Sequence, residues 1–115
     1  MLFRLLWLLQ LMTQQYEVWL TQRPQQGIWA GLYCLPVFEN FEALQAIVPA
    51  SYRAKLCEST SFKHVLTHKD LHCHVVKLEL GQAPQTADPG AWWASKDWEV
   101  LGLPQPIRHL LSNSL

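Results

Sequence analysis

The chain has 115 residues, of which 50% are hydrophobic and 16% charged, a composition that supports a packed core and excludes an intrinsically disordered chain. Nine basic and nine acidic residues give a formal net charge of zero, which excludes a protein that holds DNA unaided through a basic excess. The length predicts a single domain over residues 1–115, and any contact with DNA would gain most of its affinity from another domain.

The apolar start of the chain and its cysteines bear on its location. Residues 1–12 lack a signal-peptide cleavage site and fall short of the roughly 20 apolar residues of a membrane span. We therefore expect a buried strand here and a cytoplasmic protein with no membrane anchor. Because a structural pattern begins directly after Met1, we also expect a domain taken from a longer protein. Cys34, Cys57 and Cys73 form no C-x-x-C pair, which predicts reduced, buried thiols.

The first third of the chain predicts three strands separated by polar turns. Residues 3–11 are apolar on both faces of an alternating pattern, which is typical of a strand buried on both sides. Residues 13–15 predict a polar turn, and residues 16–22 alternate well enough to be the returning strand of a hairpin. Residues 23–27, RPQQG, predict a loop, because proline blocks regular pairing and glycine permits a left-handed turn. A third strand is predicted over 29–35.

A short helix is predicted next. Asn40 is a suitable N-cap, and Pro49 ends the helix because proline disfavours helical geometry in the residue before it. The apolar residues that share one face of this helix are Phe41, Leu44, Ile47 and Val48.

The second half of the chain predicts a hairpin, a loop, a short strand and a closing helix. Strands over about 56–66 and 71–80 are joined by a tight polar turn at 67–70, and a loop follows over 81–90. A short strand starts at Trp92. The closing helix follows Pro104 and Pro106, with apolar residues at Ile107, Leu110 and Leu111. Strands, a helix, more strands and a terminal helix together indicate an α+β fold.

Three segments carry a family signature. Residues 19–36 read WLTQRPQQGIWAGLYCLP, residues 62–71 read FKHVLTHKDL, and residues 92–111 read WWASKDWEVLGLPQPIRHLL. They resemble, in this order, the QRP turn with its G-[LI]-W-x-G-L-[YW]-x-x-P run, the F-x-H-x-F-S-H-x-x-L stretch and the G-L-P-x-P-[IV] ending of MutY-type adenine DNA glycosylases. The resemblance covers essentially the whole chain.

This resemblance implies a Nudix-like sandwich, a mixed β-sheet flanked by helices, that recognises 8-oxoguanine opposite adenine in base excision repair and has no catalytic residues. It places catalysis in an N-terminal domain with an iron–sulfur cluster. Four-cysteine cluster spacing is missing from this chain, so we expect no cofactor in it. The implied partners are that N-terminal domain and double-stranded DNA containing 8-oxoguanine:adenine mispairs, bound by a monomer of a bacterial, DNA-associated protein.

The resemblance assigns contact with the lesion to Thr67 and His68, with Leu66 beside it. The family's Phe-Ser becomes Leu66-Thr67, so the hydroxyl is kept and an aliphatic side chain replaces the aromatic one. 8-Oxoguanine differs from guanine by a donor at N7 and an acceptor at O8, and a hydroxyl can pair with either. Leaving such a partner buried and unpaired costs about 1–3 kcal/mol, so one loop supplies roughly tenfold to hundredfold discrimination.

The same resemblance implies a second contact region, at the DNA backbone. Gly27 and Gly31 would approach a phosphate through their N–H groups, and Arg23 lies at the mouth of their loop. The alternative is that both glycines only shape the hairpin.

An active Nudix pyrophosphohydrolase is the principal alternative. Its motif, G-x5-E-x7-R-E-U-x-E-E-x-G-U, holds Mg²⁺ on glutamates of one helix. Aligned from Gly31, the motif meets valine, glutamine, alanine, proline and alanine at its charged positions. The acids between residues 38 and 60 are Glu39, Glu42 and Glu58, with no adjacent pair. The sequence therefore predicts no hydrolase site.

Two further alternatives concern metal and protein binding. Four histidines and a cysteine crowd residues 64–74, but the strand pattern of this segment predicts separate hydrogen bonds rather than a zinc site. Trp92, Trp93 and Trp98 could form a face for docking another protein, although a small sandwich needs large side chains in its core.

Overall fold

The computed structural model describes residues 2–81 and 90–113, and of Leu2 and Phe3 it describes the backbone. The interior of the predicted 81–90 loop and the side chain of Phe3 therefore lie outside the described residues. In chain order the elements are β1 (Leu2–Thr13), β2 (Val18–Gln22), β3 (Tyr33–Cys34), β4 (Val37–Phe38), α1 (Phe41–Ile47), α2 (Ala50–Arg53), β5 (Cys57–Leu66), β6 (Lys69–Leu80), β7 (Ala91–Trp93), α3 (Ser95–Trp98) and α4 (Gln105–Asn113).

The strands are joined by hydrogen bonds in the order β3-β2-β1-β6-β5, with β4 also paired to β1 and β7 to β2. The predicted α+β class is confirmed. The chain forms two compact units, each built from separate segments. Unit 1 comprises residues 1–10 and 37–78, and unit 2 comprises residues 11–36 and 79–115. No helix of the described residues is both long and apolar enough to cross a membrane.

Strand β1 is buried on both faces at its centre, as predicted. Leu8 and Leu9, which point to opposite faces, are fully buried, whereas Leu5 is 38% exposed. The predicted start of the returning strand at Tyr16 is wrong, because β2 begins at Val18. The side chain of Thr13 closes the intervening loop: its Oγ1 accepts hydrogen bonds from the N–H groups of residues 15 and 17, and Tyr16 has a φ of 61°.

The strand predicted over 29–35 is wrong at its start. Trp29 has a φ of 56°, and its carbonyl accepts a hydrogen bond from the N–H of Leu32 at 3.1 Å, so this segment is a turn. Regular pairing with β2 is confined to Tyr33–Cys34. Trp29 is buried, as a strand residue of the core would be, and periodicity alone does not distinguish the two backbones.

Helix α1 begins where the sequence predicts. The Oδ1 of Asn40 accepts a hydrogen bond from the N–H of Ala43 at 2.7 Å, so the N-cap is confirmed. Of the residues on the shared apolar face, Leu44 and Val48 are buried, whereas the side chain of Ile47 is 45% exposed. The backbone leaves helical geometry at Val48, whose side chain takes the buried position instead.

The cysteines are all free, but they differ in burial. Cys34 and Cys73 are buried as expected, whereas the expected burial of Cys57 is wrong. Cys57 opens β5, the last strand in the pairing order, and the first five residues of that strand are exposed.

In unit 2, the closing helix packs through Ile107 and Leu111, which are buried, as is Trp98 of α3. Arg108 ties α4 to the turn after α3, because its guanidinium donates to the carbonyl oxygens of Glu99 at 2.9 Å and Leu101 at 2.5 Å. The short elements β4, α2 and α3 have no counterpart in the predictions from sequence.

Candidate nucleic-acid interface

The residues predicted to contact a lesion lie at the tip of the β5–β6 hairpin in unit 1. The strands are antiparallel, Leu66 pairs with Lys69, and Thr67 and His68 form the loop. The predicted turn over 67–70 is thus a two-residue loop. Neither loop residue has a positive φ, which excludes the mirror-image turns that most two-residue hairpins use.

The tip of this hairpin lies at the surface. No residue from 63 to 70 is buried, and the first buried residue of β6 is Leu71. Thr67 and His68 are exposed, Leu66 is half-buried, and Val65 is 58% exposed. Thr67 therefore lies where a base could contact it. Val65 offers more apolar surface than Leu66, a feature that the family pattern does not indicate.

The register assigns the tip residues to two faces. Side chains alternate along a strand, and directly paired residues share a face. Paired residues on one face are Leu66 with Lys69 and His64 with Leu71, and on the other face Val65 with Asp70 and Lys63 with His72.

The loop that carries Gly27, Gly31 and Arg23 belongs to unit 2. The N–H of Gly31 donates to the carbonyl of Pro24 at 2.8 Å, and the carbonyl of Gly31 accepts from the side chain of Gln22 at 3.0 Å. Gly31 has a φ of +73°, so this residue shapes the turn. Its N–H already has a partner and is not available to a phosphate.

Gly27 lies in a more open position of the same loop. Its φ is +95°, a Cβ added to it would meet nothing within 4 Å, and its N–H has no hydrogen-bond partner among the described residues. Arg23 is half-buried, and its Nε donates a long hydrogen bond of 3.4 Å to the carbonyl of Ile28. Of the two glycines, Gly27 is the one whose N–H could reach an anion.

At the base of the hairpin, His74 has partners of its own. Its Nδ1 lies 2.8 Å from Oε1 of Glu58, and the ring stacks on Trp7 with centroids 4.5 Å apart. Within residues 2–81 and 90–113, no group of three or more histidine, cysteine, aspartate or glutamate side chains could hold a metal ion.

Similarity to known proteins identifies the family of this chain. The family model described as NUDIX domain matches residues 7–113. The chain belongs to the NUDIX domain family.

Two curated relatives of this NUDIX domain are adenine DNA glycosylases of Buchnera aphidicola. The protein of subspecies Acyrthosiphon pisum (strain APS) is 30% identical over 100 residues, 83% of this chain and 29% of that protein. The protein of subspecies Schizaphis graminum (strain Sg) is 23% identical over 103 residues, 84% of this chain and 30% of that protein.

Solved structures show the same fold. The C-terminal domain of mouse MUTYH, crystallised in complex with human PCNA, has a TM-score of 0.72 and 21% identity, and the match covers 96% of this chain and 87% of that one. The NUDIX domain of Shewanella oneidensis NrtR, crystallised with ADP ribose, gives 0.72 and 17%, covering 96% and 85%. The Burkholderia pseudomallei MutT NUDIX hydrolase gives 0.65 and 14% over both whole chains. The predicted Nudix-like fold and the resemblance to adenine glycosylases are confirmed.

The three carboxylates between residues 38 and 60 do not fit a catalytic divalent cation. Glu39 forms an ion pair with Arg4 at 3.2 Å, and Glu58 is engaged by His74. Glu42 lies in the first turn of α1 and does not form a cluster with the other two. Hard cations require several oxygen ligands that converge, and these three carboxylates do not supply them.

The tryptophans of unit 2 act mainly in packing. Trp98 is 2% exposed. Trp92 and Trp93 are half-buried, and they make edge contacts with Trp19 and Tyr33, at centroid distances of 5.4 and 5.8 Å. None of the three candidates for a docking face is exposed, which favours the core alternative.

Proposed function

We propose that this NUDIX domain reads 8-oxoguanine opposite adenine in duplex DNA as part of a MutY-type adenine DNA glycosylase. The observation that carries the proposal is the exposed position of Thr67 at the tip of a hairpin where no residue from 63 to 70 is buried. It is supported by similarity to adenine DNA glycosylases over 83% of the chain, in a fold whose carboxylates do not fit the hydrolase metal site.

The chemistry of the tip suits the oxidised edge of a purine. Thr67 can accept a hydrogen bond from N7–H or donate one to O8, and backbone N–H and C=O groups beside it have fixed polarity. Leu66 and the more exposed Val65 offer apolar surface on either face of the tip, where they can pack against neighbouring bases. His68 is the next residue of the loop, and its exposed side chain could contact the same base.

We propose that residues of unit 2 contact the phosphates of the DNA backbone. Gly27 presents an N–H without a partner among the described residues, and Arg23 contributes a positive charge at the same loop. Gly31 serves the shape of the turn rather than the contact itself.

The activity of the whole protein lies outside this chain. The chain spans less than a third of the curated relatives it matches, 29% and 30% of their lengths. We propose that an N-terminal domain carrying an iron–sulfur cluster removes the adenine, and that the protein acts as a monomer on DNA in a bacterial cytoplasm. This domain would then contribute discrimination rather than chemistry.

Removal of the Thr67 hydroxyl tests the lesion contact. With the domain joined to its native upstream segment, Thr67→Val should lower the preference for adenine opposite 8-oxoguanine over adenine opposite guanine by about tenfold to hundredfold, because a lesion atom is left unpaired. Single-turnover adenine removal on the two duplexes measures the ratio. Thr67→Ser should retain the preference, and Thr60→Val, at an exposed threonine of the adjoining strand β5, serves as the matched control. An unchanged ratio in Thr67→Val would contradict the proposal.

A further inference from the structure

The central part of the β5–β6 hairpin is basic, although the whole hairpin is neutral because Glu58 and Glu79 near its base, together with Asp70, balance its three lysines. Residues 60–78 contain three lysines and four of the five histidines, but only one acid, Asp70. The lysines of this segment are Lys63, Lys69 and Lys77. A local excess of positive charge attracts anions even when the net charge of the protein is zero.

Two of these lysines have no partner in the part of the chain that the structure describes. Lys63 is exposed and Lys69 is half-buried, and neither ammonium group forms an ion pair or hydrogen bond with a described residue. Asp70, the acid closest to both in sequence, makes no ion pair with either. Lys77 does have an interaction, so it is a weaker candidate. The charges of Lys63 and Lys69 are therefore available.

The two free lysines lie on opposite faces of the hairpin. Lys69 pairs with Leu66 on one face, and Lys63 pairs with His72 on the other. At about 3.3 Å per residue, Lys63 lies roughly 10 Å along β5 from the closing pair. Thr67 and His68 thus form the end of a hairpin that carries one lysine on each face.

The pairing around Lys63 also favours an anionic partner. Lys63 lies directly opposite His72, with Asp70 and His74 as its diagonal neighbours on the same face. Asp70 is the one acid among these three neighbours of Lys63, and it makes no ion pair with the lysine. Glu58 engages His74 rather than this pair.

We propose that Lys63 and Lys69 bind backbone phosphates on the two sides of the groove into which the hairpin tip inserts. A major groove about 12 Å wide admits a two-stranded ribbon, and its walls carry phosphates that lysines neutralise with release of counterions. The identity of the anion as DNA rests on the proposed function. The lysines fix the position of the ribbon, whereas Thr67 reads the base.

Salt titrations separate these roles. The 115-residue chain is titrated into labelled duplexes with an 8-oxoguanine:adenine, guanine:adenine or guanine:cytosine pair at several salt concentrations, and anisotropy is measured. Lys63→Gln and Lys69→Gln should each weaken binding equally on all three duplexes and reduce the slope of log K against log salt by about 0.9, and the double variant by about twice that. Arginine at either position should restore the slope.

Two variants serve as controls. Lys55→Gln removes an exposed lysine at the opposite end of the hairpin, near Tyr52, and should leave the slope unchanged. Thr67→Val should lower the preference for the lesion without changing the slope. Thermal unfolding confirms that each variant is folded.

The outcomes distinguish this inference from the function on which it rests. If Lys63→Gln and Lys69→Gln behave like Lys55→Gln, the inference is overturned even where the lesion preference persists. Reduced slopes without any lesion preference would support the lysine contacts and contradict the lesion-reading function. The inference also fails if the wild-type chain binds no duplex at low salt, if the lysine variants weaken the lesion duplex alone, or if polyglutamate competes as effectively as DNA.

Discussion

Cys57 and Cys73 belong to paired strands of the same hairpin but have different surroundings. Cys73 lies opposite Phe62 and is 1% exposed, while Cys57 at the start of β5 faces solvent. Burial raises the pKa of the Cys73 thiol from 9.0 to about 11, because the thiolate would lose its hydration. The sequence predicts the same state for both, since neither has a local pattern that indicates exposure.

The raised pKa of Cys73 gives a pH prediction. Because the folded pKa lies above the unfolded one, the contribution of the protonated thiol to stability is complete below pH 9.0 and is lost as the pH rises towards about 11. Urea unfolding at pH 8 to 11 should therefore show a steeper fall in the free energy of unfolding for the wild type than for Cys73→Ala. Identical pH profiles for the two proteins would contradict this prediction.

At pH 8 a thiol reagent should modify native Cys57 quickly and Cys73 only on unfolding.

For the site residues, the sequence predicts the chemistry of each group but not its surroundings. The hydroxyl of Thr67 and its place in a turn are evident from the sequence, and the structure leaves this residue exposed. The Gly31 N–H was an equally reasonable candidate, but the carbonyl of Pro24 already occupies it. Whether a backbone N–H in a loop finds a carbonyl partner depends on the exact path of that loop. Composition does not specify this path.

At the scale of elements, hairpin β5–β6 and helix α1 follow directly from local signals. The alternating burial along the last half of β5 matches the alternation of its sequence, and Asn40 begins α1 with its side chain. The turn at Trp29 shows where local signals are not sufficient to predict the backbone. A buried aromatic residue fits a strand or a turn equally well, so the backbone depends on the hydrogen bonds of its neighbours.

The cap of α1 gives a test at this scale. Asn40→Ala removes the acceptor for the Ala43 N–H at 2.7 Å and should lower the free energy of unfolding by about 0.5–2 kcal/mol, measured by urea denaturation. Asn40→Asp keeps the acceptor and should lose much less. Equal losses in the two variants would mean that the hydrogen bond is not what stabilises the start of this helix.

At the scale of the molecule, the fold matches that of known hydrolases, but the carboxylates do not match a hydrolase metal site. Solved NUDIX domains with TM-scores of 0.65 to 0.72 include a MutT hydrolase, but Glu39 and Glu58 of this chain are engaged by basic side chains. A fold does not imply the chemistry of its relatives, because chemistry depends on the site.

This gives a prediction for the whole chain. Incubation with 8-oxo-dGTP and Mg²⁺ should yield no pyrophosphate or nucleoside monophosphate, because the converging glutamates that hold the metal are missing from the segment after Gly31. Product analysis by ion-exchange chromatography measures it, with a MutT hydrolase as the positive control. Turnover that scales with the amount of chain would overturn the assignment of a non-catalytic domain.

The α+β class, the β5–β6 hairpin, the N-cap of α1 and the lack of the hydrolase motif are all predictable from the sequence. They depend on periodicity and residue chemistry within short windows. The tertiary structure alone decided that Cys57 is exposed, that Trp29 forms a turn, and that Lys63 and Lys69 flank an open tip without partners among the described residues. Burial and pairing depend on which distant strands cover a face. Residues far apart in the chain set them, so no local pattern contains that information.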